Sequence, residues 1–100
     1  MNGPSAHLSW AEMSCHDGTP YPKEWEQERA IPLANEFERI RTAVGAPLKI
    51  LSAYRSQGYN ARIPGAARNS QHVQGRAVDI KPPQGMNVDR LHRLVLFCAR

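Results

Sequence analysis

The stretch from Ser70 to Asp79, SQHVQGRAVD, holds the residues best suited to chemistry. His72 offers a neutral ring nitrogen to a metal ion, and Asp79 offers an anionic oxygen. Gly75 lies between them and lets the chain fold back, so that the two groups can meet. An imidazole and a carboxylate converging in this way supply two ligands of a catalytic metal site. Such a site typically takes three protein ligands and keeps one position for water. A lone histidine is ordinarily structural or merely exposed; the Ser70, Gly75 and Asp79 around it favour ligation. Ser70 suits a supporting part, fixing the loop or the His72 ring by hydrogen bonding.

The charges near this stretch are one-sided. The chain carries a net charge of +4, and Arg55, Arg62, Arg68 and Arg76 fall in residues 54–76 with no acid among them. Residues 1–28 instead hold Glu12, Asp17, Glu24, Glu26 and Glu28 against Lys23 alone. An anionic ligand, such as a peptide carboxylate or a phosphate, is drawn to the basic stretch. Nucleic acid is disfavoured as a partner: no recognised binding motif accompanies the arginines, aromatics are few, and the N-terminal acids oppose it. Cys15 and Cys98 lie too far apart for a zinc-finger pattern, and no disulfide is expected between them. Cys98 falls on an apolar helical face. Cys15 beside His16 lacks a second local ligand pair for a metal.

The elements that must position these groups read as follows. One hundred residues make one domain, spanning 1–100. Ser9 and Glu12 form a capping-box pattern for a short helix over residues 10–14. Residues 15–25, with Gly18, Pro20 and Pro22, read as a loop. Leu33, Phe37, Ile40 and Val44 recur at helical spacing, which predicts a helix from Pro32 to Val44 ended by Gly45. A strand is predicted over Leu48 to Tyr54, one or two helical turns over Ser56 to Ile63, and a second strand over Arg76 to Ile80. In that second strand Val78 and Ile80 face the core and turn Asp79 to the other side, where a buried ligand role is expected. Asn87 caps a last helix with Leu91, Leu94, Val95 and Cys98 as its buried stripe and His92 on its exposed side. The sum is an α+β domain: a small antiparallel sheet with flanking helices.

These residues resemble a known family. SQHVQGRAVD matches S-x-H-x-x-G-x-A-x-D, the metal-binding signature of the zinc D-Ala-D-Ala carboxypeptidases, at Ser70, His72, Gly75, Ala77 and Asp79. The run LANEFERIRTAVGAPLKILSAYRSQGYN is similar to the family's helix, G-x-P turn and S-x-Y-R-S strand end, so the likeness is strongest over residues 31–80. The resemblance implies the fold shared by these carboxypeptidases, the vancomycin-resistance D-Ala-D-Ala dipeptidases and the hedgehog signalling domain. It also implies a zinc cofactor held by His72 and Asp79, and a substrate contact from Arg55 near the scissile bond. Tyr54, Ser70, Gln71 and Asn60 are the candidates to line the substrate cleft. The implied substrate is the stem peptide of bacterial peptidoglycan, and the resemblance leaves open whether a bacterium or a phage uses the protein.

The chain departs from that family at the third ligand. The family supplies a later histidine, preceded by an acidic base, and no G-x-x-H-x-D-like segment follows Asp79 here. Two readings stay open: a shortened member with an incomplete site, or a site completed by a non-family histidine, His16 ahead of His92. A non-catalytic domain that binds wall peptides or a protein is the alternative function. The opening MNGPSAHLSWAEM has neither a basic head nor an apolar stretch, so no secretory signal is expected. The chain is expected to be made in the cytoplasm and delivered by other means if its target is periplasmic or in the wall. No apolar run approaches the ~20 residues that span a bilayer.

Overall fold

Ser9 and Glu12 cap the first helix reciprocally. The Ser9 hydroxyl accepts the Glu12 N–H at 3.0 Å, and the Glu12 carboxylate accepts the Ser9 N–H at 2.9 Å, which sets the start of α1 (Trp10–Met13). The computed structural model describes residues 2–98, with side chains described as far as Arg93. In chain order there follow a 3₁₀ turn (Lys23–Trp25), a π turn (Glu26–Ala30), α2 (Ile31–Val44), β1 (Lys49–Ser52), α3 (Gln57–Ala61), β2 (Asp79–Lys81) and α4 (Val88–Cys98). This is an α+β arrangement with a two-stranded antiparallel sheet.

Pro32 sits in the first turn of α2, as its sequence suggests. Helical backbone runs through the proline from Lys23. Proline has no N–H for the Glu28 carbonyl, and its ring crowds that carbonyl. The π turn widens the helix just before it, with the Ile31 N–H bonded back to the Glu26 carbonyl. At the other end Gly45 takes a left-handed φ of 76° and returns its N–H to the Arg41 carbonyl at 2.9 Å, closing α2 as expected. Ala34 and Phe37 on α2 are buried with Leu8, Met13, Tyr21, Ala30, Leu48 and Ala53, and α4 packs on the same helix. Asn87 caps α4 by accepting the Arg90 N–H at 2.7 Å. Leu91 is buried and His92 exposed, while Leu94, Val95 and Cys98 lie outside the described side chains.

The strands are shorter than their apolar alternation implies. Lys49 pairs with Lys81 and Ile50 with Ile80, but Ser52 pairs with Asp79, so Leu51 is an extra residue, a β-bulge, and is left 46% exposed. Beyond Ser52 the backbone groups go elsewhere. The Tyr54 N–H donates to Met13 at 3.0 Å and the Arg55 N–H to His72 at 3.1 Å. Residues 76–78 therefore find no ladder there, and β2 begins at Asp79 instead of Arg76. Val78 and Ile80 pack against the core as their alternation requires. No helix among the described residues is long and apolar enough to cross a membrane.

Candidate metal and substrate site

Residues 70–75 form a run of turns that returns the chain to the end of β1. The Ser70 hydroxyl accepts the His72 N–H at 3.1 Å, and the Gly75 N–H closes on the His72 carbonyl at 3.2 Å. Gly75 has a φ of 71°, the left-handed backbone that side chains disfavour, and it is packed as well as turned. A Cβ there would meet Trp25 Cε3 and the Tyr21 hydroxyl, each at 2.8 Å. The residues that hold this turn come from the segment read as a loop and from the π turn after it. Tyr21 donates to the Gly75 carbonyl at 2.7 Å, and Arg29 donates to the Gln74 carbonyl at 2.9 Å while lying 4.1 Å over the Trp25 ring.

The ring of His72 is oriented by backbone. Its Nδ1 lies 2.7 Å from the Ala53 carbonyl, and a carbonyl only accepts, so Nδ1 carries the proton. Nε2 is left to face Asp79 Oδ1 at 3.2 Å. In the neutral form of the ring Nε2 turns a lone pair toward the carboxylate, and in the protonated form it donates an N–H to it. Two acceptors facing each other repel unless a cation, a proton or a metal ion, lies between them. Zinc bonds of ~2.0–2.1 Å at tetrahedral angles separate neighbouring donor atoms by about 3.4 Å, close to the spacing here. The fixed Nδ1–H is the partner that metal-bound histidines ordinarily have.

Among the described residues the donor set stops at two. Among the described residues, no group of three or more His, Cys, Asp and Glu side chains could hold a metal ion. His16 is exposed and sits by Tyr59, whose hydroxyl lies 3.5 Å from its Nδ1. Cys15 is buried as a free thiol, and its sulfur accepts the Ser56 N–H at 3.5 Å. Neither joins His72 and Asp79. Asp79 is also less buried than its place between two core residues suggests: its side chain is 51% exposed, because β2 is an edge with Ser52 and Arg55 its neighbours on that face.

Arg55 adjoins the pair. Its Nη2 lies 3.7 Å from Asp79 Oδ2, its Nε donates to Ser52 Oγ at 3.4 Å, and its Nη1 donates to Asn60 Oδ1 at 3.5 Å. Ser56 follows it and caps α3 by accepting the Tyr59 N–H at 3.2 Å. The Ser56 hydroxyl donates to Asp17 at 2.7 Å. Hydrogen bonds from Thr19, then from Cys15 and Ser56, hold the Asp17 carboxyl well below the usual carboxylate range.

The other candidates are spread around this centre. Gln71 is exposed on the turn, and its carbonyl accepts the Arg76 N–H at 2.9 Å. Tyr54 is half-buried, with its ring edge-on to Tyr21 at 5.9 Å and to Trp25 at 6.0 Å. Burial pushes the Tyr54 hydroxyl up, helped by the charges of Cys15, Asp17 and Glu24.

A family model described as Peptidase M15 matches residues 6–96. No curated protein and no solved structure matches the chain.

Proposed function

The chain belongs to the peptidase M15 family, and from that premise we propose that it is a zinc-dependent peptidase of the D-Ala-D-Ala type, acting on the stem peptides of bacterial cell walls. Members of the family are metallopeptidases, typically of zinc. The observation that carries the reading is the His72 ring, with Nδ1 tied to Ala53 and Nε2 3.2 Å from Asp79. In this reading His72 and Asp79 are the two donors that the described residues offer to the ion. Polarisation of the scissile carbonyl and a lowered pKa of a bound water are the chemistry that zinc supplies when present.

The remaining roles belong to the chain's own side chains. Arg55, 16% exposed, holds a substrate carboxylate through paired hydrogen bonds or offsets the charge that develops on the carbonyl oxygen. Ser70 keeps the His72 backbone in place. Gln71 and the exposed rim of Tyr54 face the peptide. The basic residues Arg62 and Arg68 draw the acidic stem toward the site.

The two-donor count favours a second reading, a domain of the same family that binds wall peptide without cutting it. One experiment separates them. Zinc content and hydrolysis of a D-Ala-D-Ala-terminated peptide are measured for the wild type, His72→Ala and Asp79→Asn. Zinc binding and turnover, both lost in the variants, support the peptidase. Peptide binding that ignores a chelator, with no turnover, supports the second reading. A chain that holds no zinc at micromolar metal and cuts nothing overturns the first.

A further inference from the structure

We infer that Asn60 positions the Arg55 guanidinium, an inference that rests on Arg55 being the substrate-facing cation of the proposed peptidase. Asn60 is 3% exposed and is the buried polar residue among the described residues. A buried amide is unfavourable unless its hydrogen bonds are made. Here both ends are used. Nδ2 donates to the Ala67 carbonyl at 2.9 Å, and since that carbonyl only accepts, the orientation of the amide is fixed. Oδ1 must then point the other way, where Arg55 Nη1 lies at 3.5 Å.

The result is a guanidinium held on three sides. Nε meets Ser52 on β1, Nη2 meets Asp79 on β2, and Nη1 meets Asn60 on α3. Ser52 and Asp79 are paired across the sheet and act from one side. Asn60 acts from the helix that follows Arg55. The same amide pins the loop at Ala67, which leads on to Ser70 and His72. Asn60 is too buried to meet a peptide itself, so it works through Arg55. A planar fork misaligned by even ~1 Å loses much of its value to a reacting group.

The test uses the full chain, with Asn60→Ala, Arg55→Ala and the double variant. Two quantities are read: the ¹⁵N resonance of the Arg55 Nε–H, and kcat and KM on a D-Ala-D-Ala-terminated peptide with zinc. Asn60→Ala is expected to move the Arg55 resonance, to lower kcat about tenfold with zinc binding kept, and to add nothing in the Arg55→Ala background. An unmoved resonance, or an equal loss in both backgrounds, overturns the inference. If Asn60→Ala does not fold, Asn60→Asp keeps the shape. Its carboxylate is expected to draw the guanidinium off Asp79, shifting the resonance; no shift overturns the inference. Should the wild type cut no peptide, the proposed function fails on its own, and the resonance still decides the part played by Asn60.

Discussion

The Tyr21 hydroxyl donates to the Gly75 carbonyl at 2.7 Å, joining a residue early in the chain to the turn between His72 and Asp79. Tyr21 is 5% exposed, and its ring packs on Trp10, Trp25 and Tyr54. Tyr21→Phe keeps the packing but strands a buried carbonyl, and is expected to cost about 1–2 kcal/mol in chemical denaturation. Burial pushes the Tyr21 hydroxyl from 10.0 up to about 12. A raised folded value means the folded chain keeps its proton longer. The stability this contributes is therefore complete below pH 10.0 and is lost as pH rises toward about 12. Wild-type stability should fall across that window, and the fall should be shallower in Tyr21→Phe.

Gly75→Ala should be among the more damaging single changes. It forces a side chain into a φ of 71° and drives a Cβ to within 2.8 Å of both Trp25 and Tyr21. Left-handed strain and overpacking together suggest a loss of about 2–4 kcal/mol. Gly85→Ala is the control. Its φ of 86° carries the backbone strain, but nothing lies within 4 Å of the added atom. Melting curves should place Gly75→Ala well below Gly85→Ala. Zinc affinity should drop only in the former.

The N-terminal segment is clamped to α2 by one carboxylate. Glu38 accepts from the Ser5 hydroxyl at 2.6 Å and from the His7 N–H at 2.9 Å, and it pairs with His7 Nδ1 at 2.6 Å. Burial opposes its charge, but these hydrogen bonds outweigh it and hold the carboxyl below its ordinary 4.5. A depressed value stabilises the fold above pH 4.5, and that stability is lost as pH falls through the lower folded value. Glu38→Gln should flatten the acid limb of the stability profile. Amide exchange should show residues 2–8 released first in the wild type below that pH.

Lys49 and Lys81 stand opposite each other in the sheet, and both are exposed. Like charges directly across a ladder oppose pairing. Lys81→Glu is expected to raise stability by about 0.2–1 kcal/mol at low salt, with the gain shrinking as salt is added. An unchanged melting temperature in low salt would count against the pairing register.

What could be read from the chain before its fold was whatever is encoded locally. The Ser9–Glu12 capping box, the Gly45 stop, the Asn87 cap and the inward Val78 and Ile80 depend on neighbours a few residues away, and all appear in the structure. The meeting of His72 with Asp79 was legible for the same reason: one glycine turn suffices. The helical turns over Lys23–Ala30 ahead of Pro32 were not legible, because a π turn lets helical backbone run into a proline that equally suits a helix start. The bulge at Leu51 left no mark in the alternation, and it decides which residue faces Asp79. The contacts of Tyr21 and Arg29, and the burial of Asn60 where the cleft was expected, were hidden for another reason. Their partners are backbone carbonyls, at Gly75, Gln74 and Ala67, and every residue has one.

The bond from the His72 ring to the Ala53 carbonyl carries a consequence for heredity. Its acceptor is main chain, so no change of codon at residue 53 deletes it. Ala53 is fully enclosed, so larger replacements are excluded by volume alone. The acceptor for this proton is thus kept under any substitution at residue 53 that the packing admits, and the proton on Nδ1 stays where the main chain just past β1 puts it.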